Sequence, residues 1–457
     1  MSREDVPTDG PPVLNRRPFF ALRTLRRDPI ALLESAAALG DVVRIPIPRV
    51  TVWLVNEPSL VWDVLSSGNR DFRKSPTLQN AKRVLGDGLL TAEGERHRRQ
   101  RHLIQPIFHH DRIAAYGRDM VREAESTADR LRPGAVVDVH AEMARLTLAI
   151  VGRTIFDADL GARDAGKVAG ALDEVLSQFG RQFSPWLPIT ERLPIPSTRR
   201  FRRAVGVFDR TVYGLIRDRS DAARGGGDLL SLLLAAREEG IGMSEEQVRD
   251  EAVTLFLAGH ETTSAALTWT WWLLSQHPAA EARLHDELDR ELADRSPTVS
   301  DLDRLPYTEA VLSESVRLRP PAWAIGRQAV VDHDVGGRTL PAGGVAVVSP
   351  WLLHHDARWW PDPGDFRPDR WLDPDPSRPR HAFIPFGGGP RMCIGEGFAW
   401  MEARLLIATL ARRWRFELDA TARVAMQPVI TLRPRYGMAM RAVPRRASVR
   451  YPRTRSR

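Results

Sequence analysis

The hydrophobic positions along the chain predict a protein that is mainly helical. Through residues 95–237, apolar side chains recur three or four positions apart, which is the spacing of helices with one buried face. Prolines interrupt this pattern within residues 183–200, but apolar residues continue through the interruption. We therefore predict a loop between two helices there, rather than a boundary between domains.

Two stretches have the pattern of β-strands. DVVRIPIPRVTVWLV (residues 41–55) is rich in β-branched residues at alternate positions, and RQAVVDHDVGGRTLPAGGVAVVSP (residues 327–350) combines strand and turn signals. The expected fold is therefore mainly α with a minor β region. We expect a single domain over residues 21–441, preceded by a flexible segment of residues 1–20 and followed by a basic flexible tail of residues 442–457.

The clearest predicted element is a long helix over about residues 244–277. Ser244 and Gln247 form the pattern of a capping box at its start, and His277 followed by Pro278 supplies a stop at its end. A helix of this length is a rod of roughly 50 Å at 1.5 Å per residue. Because it is apolar over much of its circumference, we predict that it runs through the interior of the domain.

The sequence AGHETT (residues 258–263) places polar groups in the middle of this apolar helix. Gly259 costs about 1 kcal/mol relative to alanine at such a position, and a buried Glu261 needs a partner. Thr262 lies four residues after Ala258, so its hydroxyl can donate to the Ala258 carbonyl and open a small notch. A polar patch that faces solvent is the alternative.

The composition limits the compartment and the partners. One cysteine in 457 residues excludes a disulfide framework and a cysteine-rich metal module, so we expect a reducing, cytoplasmic environment. No window is long and apolar enough for a membrane anchor. The net charge is +8, and part of the excess lies in the C-terminal tail, where a solvated end is favoured over a nucleic-acid site. We expect a monomer that binds no nucleic acid.

The single cysteine, Cys393, lies in a glycine-rich loop just before a predicted helix. Nearby glycines allow the backbone to approach another group closely, and a helix beginning near Gly395 directs its positive end toward the sulfur. With Arg391 two residues away, this pattern favours a thiolate, which acts either as a nucleophile or as a metal ligand. A small buried thiol without a chemical role is the alternative.

Zinc chemistry does not fit this cysteine. The pairs His109–His110 and His354–His355 lack the spacing of four residues that places two ligands on one helical face. A single thiolate in a glycine-rich loop is a better match for the axial ligand of a haem iron, where the sulfur donates electron density that favours O–O cleavage.

Four motifs, in order, resemble the cytochrome P450 family. FGGGPRMCIG fits the family's signature Phe-x-x-Gly-x-Arg-x-Cys-x-Gly, and AGHETT looks like the groove that receives O2. ESVR is similar to the family's Glu-x-x-Arg pair, here Glu314 and Arg317. FRPDRW resembles the segment whose arginine, here Arg370, completes a Glu–Arg–Arg network. The resemblance runs over about residues 41–440.

The resemblance implies a cytochrome P450-like fold in which the long helix passes over haem b, with Cys393 as the axial ligand of the iron. It makes Glu261 and Thr262 the catalytic pair that delivers protons, and it makes Glu314 and Arg317 part of the scaffold. The haem-binding residues that it assigns are His97, Arg101, Ala258, Gly259, Arg327, Pro385, Phe386, Gly387, Arg391 and Gly395.

The activity that the resemblance implies is that of a haem-thiolate monooxygenase, which inserts one atom of O2 into a hydrophobic molecule such as a terpenoid, polyketide, steroid or fatty acid. Too few residues follow Cys393 for a flavin or ferredoxin domain. Electrons from NAD(P)H are therefore expected through a ferredoxin or flavodoxin with its reductase, and Arg98 and Arg99 could help to dock such an acidic carrier. A haem-thiolate isomerase or dehydratase, and a non-catalytic haem protein that binds a gas, are the alternatives.

The resemblance also places the substrate pocket. Its walls are expected to include the loop before His97 and the region near Trp186. Five further positions are assigned to it: Leu257, Ala258, Trp323, Ile325 and Leu432. These residues are apolar, and Trp323 is expected to narrow the space over the haem. Plain core packing is the other interpretation of Trp323.

Overall fold

The computed structural model describes residues 10–14, 18–48, 50–156, 195–221 and 243–445, with a few single positions in the gaps. The proline-rich interruption predicted at residues 183–200 lies outside the described residues except for its last few positions, where a helix begins.

Helices dominate the described chain, as the hydrophobic spacing predicts. In chain order they are α1 (Pro18–Arg27), α2 (Pro29–Ala37), α3 (Pro58–Trp62), α4 (Pro76–Gln79), α5 (Lys82–Leu85), α6 (Gly94–Ile104), α7 (His110–Arg130), α8 (Val139–Phe156), α9 (Pro196–Asp221), α10 (Glu245–Gln276), α11 (Pro278–Leu292), α12 (Pro306–Leu318), α13 (Pro350–His354) and α14 (Glu396–Arg413). Helices α7, α8, α10, α11, α12 and α14 share one large hydrophobic core. Among the described helices, none combines the length and the apolar character that a bilayer span needs.

The strands form a minor part of the fold at one side of this core. They are β1 (Val42–Ile47), β2 (Val50–Val55), β3 (Phe72–Lys74), β4 (Val136–Asp138), β5 (Ile325–Ala329), β6 (His333–Asp334), β7 (Thr339–Leu340), β8 (Val345–Val348), β9 (Trp414–Leu418), β10 (Met426–Pro428), β11 (Leu432–Pro434) and β12 (Ala439–Pro444). The largest sheet has the order β1-β2-β8-β5-β3, in which β2 and β8 are parallel and the other neighbours are antiparallel. Strands β10 and β11 pair as a separate hairpin.

Helix α10 begins and ends where the capping signals predict. The Ser244 N–H donates to Gln247 Oε1 (2.9 Å), and the Gln247 N–H donates to Ser244 Oγ (3.2 Å), which completes the capping box. The helix is followed by His277 and Pro278. Most of its residues are buried against α8, α9, α12 and α14, so the prediction of an interior helix is confirmed.

Both ends of the folded domain extend further than the sequence patterns predict. In the segment expected to be flexible, Leu14 is buried, its N–H donates to the Arg44 carbonyl (2.9 Å), and the Arg44 N–H donates to the Pro12 carbonyl (2.8 Å). At the other end, β12 continues past residue 441, and Ala442 is fully buried opposite Phe416. The start of the chain up to residue 9 and the last part of the tail lie outside the described residues.

The Glu–Arg–Arg network is present and buried. Arg317 donates from Nε and Nη2 to the two carboxylate oxygens of Glu314, both at 2.8 Å. Arg370 Nε donates to Glu314 Oε1 (2.9 Å), and Trp371 Nε1 donates to Oε2 (2.9 Å). Because both partners of the Glu314–Arg317 pair are fully buried, the charges are compensated without solvent, and the scaffold role is consistent with this geometry.

The same network reaches the segment that leads to Cys393. Arg317 Nη1 donates to the His354 carbonyl (2.8 Å), and His354 Nε2 accepts the backbone N–H of Ile384 (3.0 Å). Burial holds the pKa of His354 well below its usual range, so the imidazole is neutral and can accept this hydrogen bond. The buried ion pair thereby fixes the chain nine residues before the cysteine.

A second set of contacts, which we call the His333 clamp, supports the cysteine loop through the chain between Asp63 and Asp71. His333 Nε2 contacts Asp63 Oδ2 (2.7 Å), and its Nδ1 contacts Asp71 Oδ2 (2.8 Å). The chain between these two aspartates underlies the cysteine loop, because a Cβ at Gly389 would lie 2.1 Å from the Leu65 carbonyl oxygen. Although burial by itself lowers the pKa of His333, the two carboxylates outweigh it and raise the pKa above its usual range.

We expect the His333 clamp to stabilise the fold at acidic and neutral pH and to weaken at alkaline pH. The folded pKa lies above the unfolded value of about 6.5, so the stabilisation is fully present below that pH and is lost as the pH rises through the folded pKa. His333→Gln should lower the free energy of unfolding in urea by about 1–2 kcal/mol at pH 6 and by less at pH 9. His102→Gln, at an exposed position, serves as the control. A loss that is equal at both pH values would contradict the protonated clamp.

Candidate functional site

The loop that carries Cys393 is folded by its own backbone. The Cys393 N–H donates to the Phe386 carbonyl (3.0 Å), and the Gly387 N–H donates to the Ile384 carbonyl (3.0 Å). Gly387 and Gly389 have φ values of 74° and 67°, a region that side chains with a Cβ disfavour. Helix α14 starts directly after Gly395, as the sequence predicts. Pro385, Phe386, Gly387 and Gly395, which the resemblance assigns to the haem, are thus collected in one turn around the cysteine.

The thiol itself is not pre-ionised by its surroundings. Cys393 keeps accessible surface on the wall of an open cavity of about 250 Å³, yet burial raises the pKa of its thiol, while the Gly395 N–H opposes the shift. Arg391 does not neutralise the sulfur, because its guanidinium donates to the Phe72 carbonyl (3.0 Å) and to Glu93 (2.8 Å). The expectation that Arg391 favours a thiolate is therefore wrong. A coordinating metal ion would deprotonate this thiol outright.

A buried cluster of positive charge lies beside the cysteine loop. His97 is buried, and its burial is the main reason why its pKa falls to about 3. Further lowering comes from the charges of Lys74, Arg391, Arg101 and Arg327. Glu93 is a carboxylate that the structure places among these cations. The cluster carries more positive than negative charge, which is unfavourable in a buried region without an added anion.

The surroundings of Arg327 give the clearest indication that the cluster lacks a negatively charged ligand. It is buried, burial lowers its pKa to about 10, and its Nε has no hydrogen-bond partner among the described residues. Its Nη1 donates to the Gly326 carbonyl (3.1 Å). A guanidinium with open donors in a cationic cluster fits a carboxylate ligand. The two propionates of haem b meet this requirement, so the residues present fit the cofactor that the sequence implies.

Lys74 and Glu93 belong to this cluster, and the sequence reasoning missed both. Lys74 Nζ donates to the carbonyls of Leu89 (2.8 Å) and Ala92 (2.6 Å), and its burial lowers its pKa to about 7. A signal was available, because this chain contains very few lysines and uses arginine almost everywhere else. Arg101 donates to the Met392 carbonyl (2.8 Å) and lines the cavity beside Cys393.

Helix α10 has an opening at the predicted notch. Between Val248 and Trp271, every residue is buried except Ala258, Gly259 and Thr262. The Thr262 hydroxyl donates to the Ala258 carbonyl (2.6 Å), as predicted. Ala258 and Thr262, four residues apart on one face, therefore border an open space in the middle of a buried helix, and Gly259 lies at its edge, against α8. The interpretation as a solvent-facing polar patch is wrong for Glu261, which is buried.

Gly259 and Glu261 have structural partners that the sequence did not reveal. A Cβ at Gly259 would lie 3.0 Å from Val151 Cγ2, so the missing side chain allows α10 to pack closely on α8. Glu261 Oε1 accepts a hydrogen bond from the Thr431 hydroxyl (2.8 Å) at the tip of the β10–β11 hairpin. The acid and Thr262 are adjacent in sequence, but Glu261 is paired away from the opening.

The predicted pocket residues divide into two groups. Trp323 and Ile325 are half-buried, Trp323 Nε1 donates to the Val429 carbonyl (3.1 Å), and Ile325 Cδ1 lies 3.5 Å from the Cβ position of Gly387. Leu257 is packed in a hydrophobic core with α8. Leu432 has no accessible surface, so its placement on the pocket wall is wrong. The position of Trp186 lies outside the described residues.

Comparison with known proteins gives a consistent result. A model of the cytochrome P450 family matches residues 11–438. The chain is 38% identical over 429 residues to cyclooctatin synthase of Streptomyces melanosporofaciens, covering 92% of this chain and 91% of that protein. It is 38% identical over 394 residues to cyclooctat-9-en-7-ol 5-monooxygenase of the same organism, with 86% of each chain covered. It is 36% identical over 406 residues to pentalenene oxygenase of Streptomyces avermitilis, with 88% and 89% covered.

Arg327→Met should change the stability of the apoprotein and the retention of haem in opposite directions. Without haem, the substitution removes an uncompensated buried charge, so the apoprotein should become more stable by about 1–3 kcal/mol. With haem, it removes a charged donor, so transfer of haem to apomyoglobin should become roughly tenfold faster. Arg73→Met, an exposed position on the neighbouring strand next to the cross-strand partner of Arg327, should change neither quantity. A destabilised apoprotein would show that Arg327 is paired without the cofactor.

Proposed function

The chain belongs to the cytochrome P450 family, and from this premise we propose that it hydroxylates a terpenoid hydrocarbon with O2. It is a monooxygenase: substrate, O2, two electrons and two protons give the hydroxylated product and water. When bound, the haem supplies the reduction of O2 at a thiolate-ligated iron. Cys393 would hold the iron, and His97, Arg101, Arg327 and Arg391 would bind the propionates. The observation that carries this proposal is the opening of an otherwise buried α10 at Ala258, Gly259 and Thr262.

Thr262 is suited to hold a proton donor at the opening. Its hydroxyl hydrogen is engaged by the Ala258 carbonyl, so its oxygen lone pairs are free to accept from water on the open side. Glu261 lies one residue before it and is held by Thr431. To deliver a proton, the Glu261 carboxyl would turn from Thr431 toward the water that the Thr262 hydroxyl accepts from.

The substrate class follows from the pocket and the relatives together. Trp323, Ile325 and the half-buried Ile430 offer an apolar wall. The names of two relatives specify pentalenene and cyclooctat-9-en-7-ol as substrates, an unsaturated hydrocarbon and an unsaturated alcohol. We therefore favour a terpenoid over a polyketide, steroid or fatty acid.

Electrons are proposed to come from NAD(P)H through a separate ferredoxin or flavodoxin and its reductase, with the chain a cytoplasmic monomer. The cavity beside Cys393 is lined by Arg101, Phe108 and Met392, and Met392 is exposed. Arg98 and Arg99 are exposed on α6 nearby, although Arg98 is paired with Glu95. An apolar centre with cations at its edge suits an acidic electron carrier.

A carbon-monoxide difference spectrum of the reduced holoprotein tests the central assignment. Thiolate ligation by Cys393 should give the strongly red-shifted band, and Cys393→His should abolish it. A panel of terpene hydrocarbons, steroids, polyketides and fatty acids, scored for spin-state shift and oxidised product, then tests the substrate class. A normal imidazole-type band in the wild type would overturn the haem-thiolate assignment, and a gas-binding role would show the band without turnover.

Thr262→Ala should leave haem and substrate binding intact and divert reducing equivalents to peroxide. The substitution removes the hydroxyl that accepts a hydrogen bond from the proton-donating water. We expect the ratio of product to NAD(P)H consumed to fall about tenfold, which is less than the roughly 10²–10⁴-fold that a positioned general acid or base contributes to a rate. Thr154→Ala is the matched control, since its hydroxyl donates to the Ile150 carbonyl on α8 in the same way (2.7 Å). Unchanged coupling in Thr262→Ala would remove the residue from the proposed catalytic pair.

A further inference from the structure

Residues 86–93, between α5 and α6, form a loop whose backbone is held by side chains from several parts of the fold. Gln100 Nε2 donates to the Asp87 carbonyl (2.7 Å), and Gln79 Nε2 donates to the Thr91 carbonyl (3.0 Å). Thr91 Oγ1 donates to the Gly86 carbonyl (2.7 Å) within the loop. We call this segment the 86–93 loop. These contacts pair backbone groups of the loop without a sheet or helix.

Helix α10 holds one side of the 86–93 loop through two buried acids. Asp250 Oδ2 accepts the Asp87 N–H (2.8 Å), and Glu251 Oε2 accepts the Leu89 N–H (2.8 Å). The contact is close, because a Cβ at Gly88 would lie 2.2 Å from Thr254 Oγ1. The loop therefore packs directly on the helix, with carboxyl groups as the acceptors.

Lys74 holds the opposite side. Its Nζ donates to the carbonyls of Leu89 and Ala92, so Leu89 is bound through its N–H by Glu251 and through its carbonyl by Lys74. The Lys74 N–H donates to Glu93 Oε1 (2.5 Å). The Lys74 and Glu251 side chains, which bind the Leu89 backbone from opposite sides, are both buried. The loop is thus fixed at its centre from two directions.

The position of the loop matters because of the helix face that it covers. Thr254, Ala258 and Thr262 are spaced four residues apart, so they lie on one face of α10. The 86–93 loop contacts this face at Thr254, and the opening at Ala258 begins one turn further along. A displacement of the loop would lengthen the open part of the face toward the start of the helix.

We propose that Glu251 and Lys74 are positioning residues that clamp the 86–93 loop over α10 and thereby limit the size of the molecules that the pocket admits. This inference rests on the proposed function, in which the opening on α10 faces the substrate. It concerns residues that do not touch the reacting atoms and act through the loop.

The clamp depends on hydrogen bonds rather than on charge. Burial raises the pKa of Glu251 to about 8 and is the main cause that lowers the pKa of Lys74 to about 7, so burial disfavours the charged form of each. Glu251 Oε1 has no hydrogen-bond partner among the described residues, which suits a protonated oxygen. A glutamine at this position keeps the acceptor for the Leu89 N–H, so Glu251→Gln should preserve the clamp.

The test compares Glu251→Ala, Lys74→Met and Glu251→Gln in the holoprotein. Imidazole and the larger 4-phenylimidazole are the probes, with dissociation constants taken from the spectral shift of the haem. Loss of one such hydrogen bond corresponds to about a tenfold change in an equilibrium, so Glu251→Ala and Lys74→Met should favour the larger probe over imidazole by roughly tenfold relative to wild type. Glu251→Gln should retain the wild-type ratio.

Hydrogen exchange gives a second readout that does not depend on catalysis. Amide protection in peptides that cover residues 86–93 should fall in Glu251→Ala and Lys74→Met, with or without haem, and remain in Glu251→Gln. Glu287→Ala is the matched control: its buried carboxyl accepts the N–H groups of Tyr307 (2.7 Å) and Thr308 (2.8 Å) on another helix. It should destabilise the protein without changing the probe ratio.

The outcomes separate the clamp from the proposed function. Lower protection with an unchanged probe ratio would show that the loop does not limit the pocket, and unchanged protection would show that the loop is not clamped. Either result overturns the inference. If Glu251→Ala does not fold, Glu251→Leu, which also removes the acceptor for the Leu89 N–H and leaves the cation cluster intact, decides the question with the same two measurements. Failure of the proposed function appears instead in the carbon-monoxide spectrum and substrate panel of the wild type, which these variants do not affect.

Discussion

The uncompensated positive charge beside the cysteine loop is the constraint on which the rest of the site depends. Lys74, Arg327 and Arg391 gather where Glu93 is the nearby acid, and His97 stays neutral among them. A buried cluster of this kind is unfavourable by itself. A bound ligand with two carboxylates would compensate the buried cations. The uncompensated charge of the apoprotein therefore favours binding of the cofactor.

Helix α10 combines structural and chemical roles along one element. Its first turns hold the 86–93 loop through Asp250 and Glu251, its middle opens at Ala258, and its later turns pack in the main core. Several polar side chains in this buried helix are paired with other elements, such as Glu261 with Thr431. Where the partner is the helix itself, as for Thr262, the helix gains an accepting group that faces open space.

Most of the structural features that could be predicted from the sequence are local. The capping box of α10, the Glu314–Arg317 pair and the glycine loop before α14 depend on residues close together in sequence, and the structure has all three. Long-range partners were not predictable. Arg391 turns to Glu93 rather than to the sulfur, and Lys74 joins the haem site across the fold. The three-residue strand β4 pairs with residues 439–441 of β12 across some 300 positions, and the extra length of β12 at residues 442–444 pairs with β9.

The contact between Arg391 and Asn69 joins positions that are 322 residues apart. The cysteine loop also rests on Leu65, so the haem site is built from the first and the last parts of the folded domain. Contacts of such separation form late, since the chain between them has to be ordered before the closure entropy is recovered. Cofactor capture therefore needs the segment at Leu65 and Asn69 and the loop that carries Cys393 to be packed together. Because helix α14 of the main core follows directly after that loop, a bound haem would report that both the core and these long-range contacts have formed.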